Sequence, residues 1–319
     1  MRIYSDRIFG QNIFRPFPRH ETEKIIRMFE TLPFSSYAML EMEAVGPQKI
    51  DFSANIKKLA HDDHYGSQNP LIAHILEQWK TDEVLAHYLA DMWVEYDSHP
   101  DGYRESTFLT LRNFDHTAPE KDLETIDTRT GLNLPAAHKE KIRATLKNIP
   151  AANTVSHLGF MVSRGHAPVR INIKKSEKNL PEVLAALDIH LPETETIAPL
   201  LRLADTVTLA IDVDETGITP RVGFECFFNA QNREYPPQAL FLDALVAAGL
   251  CAETTRDQTL EWIGIDPLEG ENDALPIDGI VSKIQFSYLW RIVNHVKIVV
   301  ENGKVIAKLY LAFGHKWTN

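Results

Sequence analysis

The sequence predicts an α+β fold in which about ten antiparallel strands close into one barrel, with helices outside it. A pattern of two strands joined by a turn recurs about five times along the chain. Between these pairs lie segments whose apolar residues recur at helical spacing, as amphipathic helices require. Because about ten strands are many for an open twisted sheet, and closure removes exposed edges, the barrel is the leading interpretation. An antiparallel sheet with one face in water is the alternative.

The last strand pair carries the clearest turn signal. Alternating apolar residues flank Asn302-Gly303, and Asn-Gly favours a hairpin because both turn positions tolerate positive φ. The second pair needs a longer connecting loop, and the third turns near Gly165. The predicted strand pairs are 37–43 with 50–57, 93–96 with 107–113, 157–162 with 169–174, 207–213 with 220–228, and the two strands of 295–310.

The segments between the strand pairs predict helices with one apolar face. Start and stop signals support one of them, because Pro236 and Pro237 precede its first turn and Gly249 ends it. The layout therefore repeats as helix, strand, strand, helix. The predicted helices are 21–31, 71–91, 136–147, 181–189, 197–204, 237–249 and 255–263.

Composition favours one large soluble domain over residues 1–319. The chain is 44% hydrophobic and 24% charged, and no linker or composition break divides it. It shows neither a signal-peptide pattern nor an apolar run long enough to span a bilayer, so a cytoplasmic protein without a membrane partner is expected. Cys226 and Cys251 are too few for a disulfide framework. A net charge of -11 argues against a nucleic-acid partner.

Alternation sorts each strand into an apolar face and a polar face. The helices need an apolar partner, so the polar faces should point to water or to an enclosed lumen that could hold a ligand. Phe227 falls on the polar side, whereas most other aromatic residues near it are expected in the core. The polar-face candidates are Asp51, Ser53, Asn55, His157, Arg170, Asn172, Lys174, Arg221, Glu225, Phe227, His295, Lys297, Lys308 and Tyr310.

On these residues the chain resembles the ABBA-type prenyltransferases, whose helix-strand-strand-helix units form the PT barrel. The resemblance covers nearly the whole length as architecture and a few positions as motif. One family strand reads Arg-x-Lys-x-Tyr, and this chain has Gly223 and Glu225 after Arg221. The other matches are Lys308-Leu-Tyr310 with the family's Lys-x-Tyr pair, and Asp51-Phe-Ser-Ala-Asn55 with its Glu-x-Ser-x-Asn strand.

The resemblance implies transfer of a dimethylallyl or geranyl group from its diphosphate to an aromatic or peptide acceptor. Asp51 would be the catalytic carboxylate, accepting a proton or hydrogen bond from the acceptor. Convergent cations would neutralise the diphosphate in a sheltered cavity. The implied diphosphate-binding residues are Arg170, Lys174, Arg221, Lys297, Lys308 and Tyr310. The implied acceptor and prenyl pocket comprises Ser53, Asn55, His157, Asn172, Glu225, Phe227 and His295.

Chain length resembles that of the smaller bacterial family members, including the cyanobactin peptide prenyltransferases that tailor ribosomal peptides. Magnesium use differs among the family's branches, which leaves Mg²⁺ as a candidate cofactor. The second interpretation is a non-catalytic ligand- or peptide-binding barrel that has lost the diphosphate site. Gly223 and Glu225 favour it, because together they remove a cation and add an anion.

Two acidic motifs suggest metal binding. His61-Asp-Asp-His64 offers metal-ligand residue types, but a polar loop explains it without a further ligand at a telling spacing. Asp212-Val-Asp-Glu215 could hold magnesium, although the composition of a turn accounts for Asp214 to Gly217. No nucleophile elbow, phosphate-binding loop or dinucleotide fingerprint is present in the sequence.

Overall fold

The structure is a computed structural model that describes residues 17, 23, 25, 37–46, 49–56, 69–99, 102–162, 168–175, 180–228, 237–267 and 286–318. Its strands form a single eleven-stranded sheet. The strands are β1 (Tyr37–Glu43), β2 (Ile50–Ile56), β3 (Leu89–His99), β4 (Gly102–Leu111), β5 (Thr154–Phe160), β6 (Val169–Lys175), β7 (Thr206–Val213), β8 (Ile218–Phe227), β9 (Gly264–Pro267), β10 (Phe286–Glu301) and β11 (Lys304–Thr318).

Ten of these strands close into a ring. Each strand from β1 to β8 pairs antiparallel with the next, β8 pairs with β10, β10 with β11, and β11 with β1. Strand β9 lies outside the ring and pairs with the first part of β10, at Tyr288 to Arg291. The closed antiparallel barrel predicted from the sequence is confirmed.

The five predicted strand pairs are all present, with different lengths. The second pair is longer than predicted, because β3 and β4 stay paired as far as His99 and Gly102. The expected longer loop between them is therefore wrong. The fifth pair extends over Phe286–Glu301 and Lys304–Thr318, and a β-bulge interrupts its register between Val293 and His295. Lys57 and Gly165 lie outside the described residues.

The described helices are α1 (Pro70–Thr81), α2 (Glu83–Tyr88), α3 (Pro119–Thr130), α4 (Ala136–Asn148), α5 (Leu180–Ala186), α6 (Thr194–Leu201), α7 (Pro237–Ala247) and α8 (Glu253–Trp262). The predicted single helix 71–91 is wrong. Asp82 is extended and its carboxylate caps α2 by accepting from the backbone N–H groups of Val84 and Leu85, so a new helix starts there. Residues 89–91 already belong to β3.

Helix α3 was not predicted from the sequence. Its apolar stripe is sparse, since Leu123 and Ile126 are its large buried apolar residues. It ends at Gly131, whose φ of 66° suits a glycine cap. The predicted helix 21–31 lies outside the described residues except for Glu23 and Ile25, and His61 to His64 lie outside them altogether.

One continuous hydrophobic core fills the space between the barrel and its helices. The apolar strand faces supply residues such as Leu40, Ile171 and Leu309, and the helices supply Ile75 and Ile142, all fully buried. Burying a side chain of this kind contributes about 1.5–3 kcal/mol, so the alternation fixes which strand face turns outward. The polar faces then point into the barrel. None of the helices in the described ranges combines the length and hydropathy needed to cross a bilayer.

Candidate active site

The polar faces of the strands surround a cavity of about 230 Å³ inside the barrel. Residues from strands on every side of the ring contribute to its wall. The lining residues are Met39, Glu41, Phe52, Ser53, Trp93, Glu95, Phe108, His157, Arg170, Asn172, Glu225, Phe227, Asn294, His295, Lys297 and Tyr310.

The structure brings many of the predicted site residues to this cavity and leaves others away from it. Those on its wall are Ser53, His157, Arg170, Asn172, Glu225, Phe227, His295, Lys297 and Tyr310. Those that do not line it are Asp51, Asn55, Lys174, Arg221 and Lys308. Lys174 is exposed, whereas Asn55 is buried beside Trp93 on the neighbouring strand.

Sequence reasoning missed several residues of the cavity wall. Glu41 alternates with Leu40 and Met42 on β1, and Trp93 and Glu95 alternate with buried residues on β3. Sorting these two strands by face would have found them, because residues two apart share a side. The missed residues are Met39, Glu41, Phe52, Trp93, Glu95, Phe108 and Asn294.

Arg170 forms a buried bidentate ion pair with Asp212. Its Nε and Nη2 atoms donate to the two carboxylate oxygens at 2.7 and 2.9 Å. Burial alone would lower the pKa of Arg170, but the Asp212 carboxylate raises it, and Arg170 in turn holds the pKa of Asp212 below its usual range against burial. Arg221 lies 3.7 Å from Asp212 and donates to Glu301 at 3.1 Å. Glu225 is therefore not the partner of Arg221.

Glu41 holds a second buried pair. The ammonium of Lys308 donates to its carboxylate, and so does the hydroxyl of Tyr310. Burial raises the pKa of Glu41, but these two donors outweigh it and the pKa falls well below the ordinary value. Burial and the Glu41 carboxylate together raise the pKa of Tyr310 well above its usual value, so the phenol keeps its proton.

Glu225 is the centre of a third buried group of polar side chains. Nζ of Lys297 donates to it at 3.0 Å, and Nδ2 of Asn172 donates to both of its oxygens at 3.1 and 3.2 Å. Burial opposes ionisation, yet Lys297 and the neighbouring groups lower the pKa of Glu225 to about 2. Burial lowers the pKa of Lys297.

Because Gly223 has no side chain, it leaves room in the lumen for the stem of Lys297. A methyl group at Gly223 would lie 2.6 Å from Cε of Lys297, which is closer than carbon atoms pack. The stem of Lys297 therefore occupies the space directly over Gly223. Lys297 belongs to β10, the strand paired with β8, so the adjacent strand places a cation beside Gly223.

Aromatic rings form the part of the cavity wall away from Arg221 and Glu301. The ring of His295 stacks on Tyr310 with centroids 4.0 Å apart and lies 4.9 Å from Phe227. Trp93 and Phe108 face the cavity from paired positions of β3 and β4. Ring faces carry negative electrostatic potential and attract cations, so this wall suits an electron-poor or cationic group.

The two lining histidines are neutral. Burial lowers the pKa of His295 to about 4 and also lowers that of His157. Nδ1 of His295 lies 2.7 Å from Oδ1 of Asn294, so Nδ1 carries the proton. Nδ1 of His157 lies 3.0 Å from the hydroxyl of Ser156, which donates to the backbone oxygen of Asn172 and so accepts from the ring. In both rings Nε2 keeps its lone pair.

Asp51 shares the lumen face of β2 with Ser53 but does not line the cavity. It faces Glu41 across the β1–β2 pair, and its carboxylate accepts from the backbone N–H of Ser98 at 2.7 Å and lies 3.5 Å from Lys49. Burial, followed by the charge of Glu41, raises the pKa of Asp51 to about 6. The cavity is thus lined by Glu41, the cross-strand neighbour of the predicted catalytic carboxylate, rather than by Asp51 itself.

The described carboxylates do not form a magnesium site. Asp212 pairs with Arg170, and Asp214 accepts from the backbone N–H groups of Thr216 and Gly217 in a turn. Within the ranges that the structure describes, no group of three His, Cys, Asp or Glu side chains could hold a metal ion. A protein-held Mg²⁺ therefore does not fit these residues.

The barrel resembles solved prenyltransferase structures in fold. PriB, a prenyltransferase solved in its apo form, aligns with a TM-score of 0.56 and 10% identity over 96% of this chain and 95% of its own. AnaPT from Neosartorya fischeri aligns with a TM-score of 0.53 and 10% identity over 97% and 91%. The 6-dimethylallyltryptophan synthase from Micromonospora olivasterospora, in complex with DMASPP and Trp, gives 0.52 and 10% over 88% and 84%.

These three neighbours define the class of fold as the ABBA, or PT-barrel, fold, and the fold predicted from the sequence is confirmed. Identity of 10% carries the likeness no further than the fold. No protein-family model matches the chain. No curated protein matches it either.

Proposed function

We propose that this protein transfers an allylic prenyl group from its diphosphate to an aromatic or peptide side-chain acceptor. The observation that carries the proposal is the cavity at the centre of a PT barrel, with aromatic rings on its wall and two cations, Arg170 and Lys297, beside them. A transfer that passes through an allylic cation needs both features. The cations bind the leaving group, and the rings stabilise the carbon that it leaves behind.

Arg170, Lys297 and the hydroxyl of Tyr310 are the proposed contacts for the diphosphate, because all three lie on the cavity wall. Tyr310 would turn its hydroxyl proton from Glu41 to a phosphate oxygen when the diphosphate binds. Arg221 and Lys308 do not line the cavity and would act indirectly. Arg221 would act through Asp212, which also pairs with Arg170, and Lys308 through Glu41, which lines the cavity. Lys174 is exposed and off the cavity. The proposed role of Mg²⁺ is as a counterion carried by the diphosphate, since the described residues do not form a site for it.

In the proposed step the C–O bond to the diphosphate breaks and the electron pair leaves with the diphosphate. The acceptor atom forms a new bond to the allylic carbon and loses a proton. Nε2 of His157 is the proposed proton acceptor, because the ring is neutral and its other nitrogen is held by Ser156. Asp51 would act indirectly, through its charge on Glu41.

A second function is favoured by one observation. Arg170, Arg221, Lys297 and Lys308 each already pair with a carboxylate, so a diphosphate would have to share every one of them. A barrel that binds a neutral or cationic ligand without catalysis leaves these pairs intact. Cys226 and Cys251 are free and buried, and a reducing cytoplasm is the proposed compartment for either function.

One experiment separates the two. The protein is incubated with dimethylallyl or geranyl diphosphate and a panel of aromatic amino acids and cyclic peptides, with and without Mg²⁺, and products are read by mass spectrometry. Transfer should add one prenyl group, and Tyr310→Phe should lower kcat/KM by about 10-fold to 100-fold through loss of the phosphate donor. Tyr288→Phe, on β10 and off the cavity, is the matched control. If no product forms and neither diphosphate causes a thermal shift, the result would favour the non-catalytic barrel.

A further inference from the structure

Two polar atoms of the cavity wall have no hydrogen-bond partner within the described part of the protein. They are Oδ1 of Asn172 and Nε2 of His295. Both residues are only 5% exposed and both line the cavity. A buried polar atom without a partner is costly, and native structures keep few of them. These two atoms therefore mark a place where a ligand supplies hydrogen bonds.

Both atoms are acceptors. Asn172 must turn its amide nitrogen to Glu225, because an ionised carboxylate only accepts, and this leaves the amide oxygen unpaired. His295 holds its proton on Nδ1 against Asn294, so Nε2 presents a lone pair. A single ligand that satisfied both atoms would donate at two points. An indole, a phenol or a neutral imidazole has one such donor and would satisfy only one of them.

The charges on the cavity wall narrow the class of ligand further. The acidic residues of the cavity wall are Glu41, Glu95 and Glu225, against the basic residues Arg170 and Lys297, and the histidines are neutral. Glu225 accepts from Asn172, and its charge also acts on His295. A donor with a positive charge complements this wall better than a neutral one.

We propose that Asn172, His295 and Glu225 form a subsite for a guanidinium group, so that the acceptor is an arginine side chain of a peptide or a related guanidine. This inference rests on the proposed function, because it names the acceptor of that transfer. A guanidinium presents five N–H donors in one plane and stacks on aromatic faces. The Phe227, His295 and Tyr310 rings supply such faces. A lysine ammonium is more strongly hydrated and gains less from this wall.

Calorimetry without any prenyl diphosphate tests the subsite. The ligands are N-acetylarginine methylamide, its citrulline analogue, which has the same shape without the charge, and N-acetyltryptophan methylamide. The arginine compound should bind at least about 10-fold more tightly than the other two. Equal or tighter binding of citrulline or tryptophan would overturn the proposal. This comparison uses only the wild-type chain, so it does not depend on how any variant folds.

Variants assign the binding to the two atoms. Asn172→Leu and His295→Phe remove one acceptor each while keeping the size of the side chain, and each should weaken arginine binding by about 10-fold to 100-fold. Asn148→Leu and His190→Phe make the same changes at exposed positions and should leave affinity unchanged. Unchanged affinity in both cavity variants would overturn the assignment. Arginine binding without any prenylated product would support the subsite and count against the proposed transfer.

Discussion

The two halves of the lumen accommodate their polar side chains in different ways. Toward the β7–β8 and β10–β11 turns, charged side chains pair with one another, as in Arg170 with Asp212 and Arg221 with Glu301. Farther from those turns, stacked rings line open space, and the unpaired acceptor atoms lie there. In the charged half these side chains pair with one another. In the aromatic half, two acceptor atoms have no hydrogen-bond partner among the described residues. Recognition of the acceptor is therefore assigned to the rings and their polar neighbours, whereas Arg170 and Lys297 are the proposed contacts for the diphosphate.

Breaking an ion pair in the charged half should have the largest effect on stability. Arg170→Met leaves Asp212, which is 4% exposed, with Arg221 at 3.7 Å as its remaining ion-pair partner among the described residues. We expect a loss of about 3–5 kcal/mol in the free energy of unfolding, because an uncompensated buried charge remains. Denaturant unfolding measures it. The double variant Arg170→Met/Asp212→Leu should regain most of the loss, and a single-variant loss below about 1 kcal/mol would contradict the pairing.

Filling the aromatic half should have a moderate effect. A methyl group at Gly159 would lie 2.5 Å from the ring of Phe108, so Gly159→Ala should cost about 1–3 kcal/mol of stability through overpacking. Gly223→Ala is the matched change in the charged half, where the methyl meets the flexible stem of Lys297. Its loss, followed by thermal unfolding, should be smaller. A larger loss at Gly223 would reverse the comparison.

The smallest expected effect is a gain of stability at Asp51. Its folded pKa is raised from 3.8 to about 6, so its favourable contribution is full below pH 3.8 and is lost as the pH rises through 6. Asp51→Asn should therefore raise the free energy of unfolding at pH 7.5 by about 1–2 kcal/mol, with a smaller gain near pH 4. Thermal unfolding across this range tests it, and a gain that does not depend on pH would contradict the assignment.

Much of the fold follows from alternation, because a strand that buries one face must show the other to the lumen. The polar-face residues of β5 to β8 were found this way. Helix α3 and strand β9 were missed, since the first has a sparse apolar stripe and the second is four residues long.

The ion pairs could not be predicted from the sequence. Arg170 and Asp212 are 42 residues apart, Glu225 and Lys297 are 72 apart, and Glu41 and Lys308 are 267 apart. Each pair joins neighbouring strands that no predicted turn connects. Their register depends on how the ring closes, which local patterning does not determine. The cations on the polar strand faces could be identified from the sequence, but the carboxylates that pair with them could not.

The bulge between Val293 and His295 makes two consecutive residues, Asn294 and His295, line the same cavity. Regular alternation would send them to opposite sides. The donor and acceptor that fix the imidazole proton are thus covalent neighbours, 2.7 Å apart. Because the two groups belong to adjacent residues, their contact does not depend on the register between strands. The choice of which imidazole nitrogen carries the proton is therefore made within one dipeptide, Asn294-His295, and not by residues on neighbouring strands.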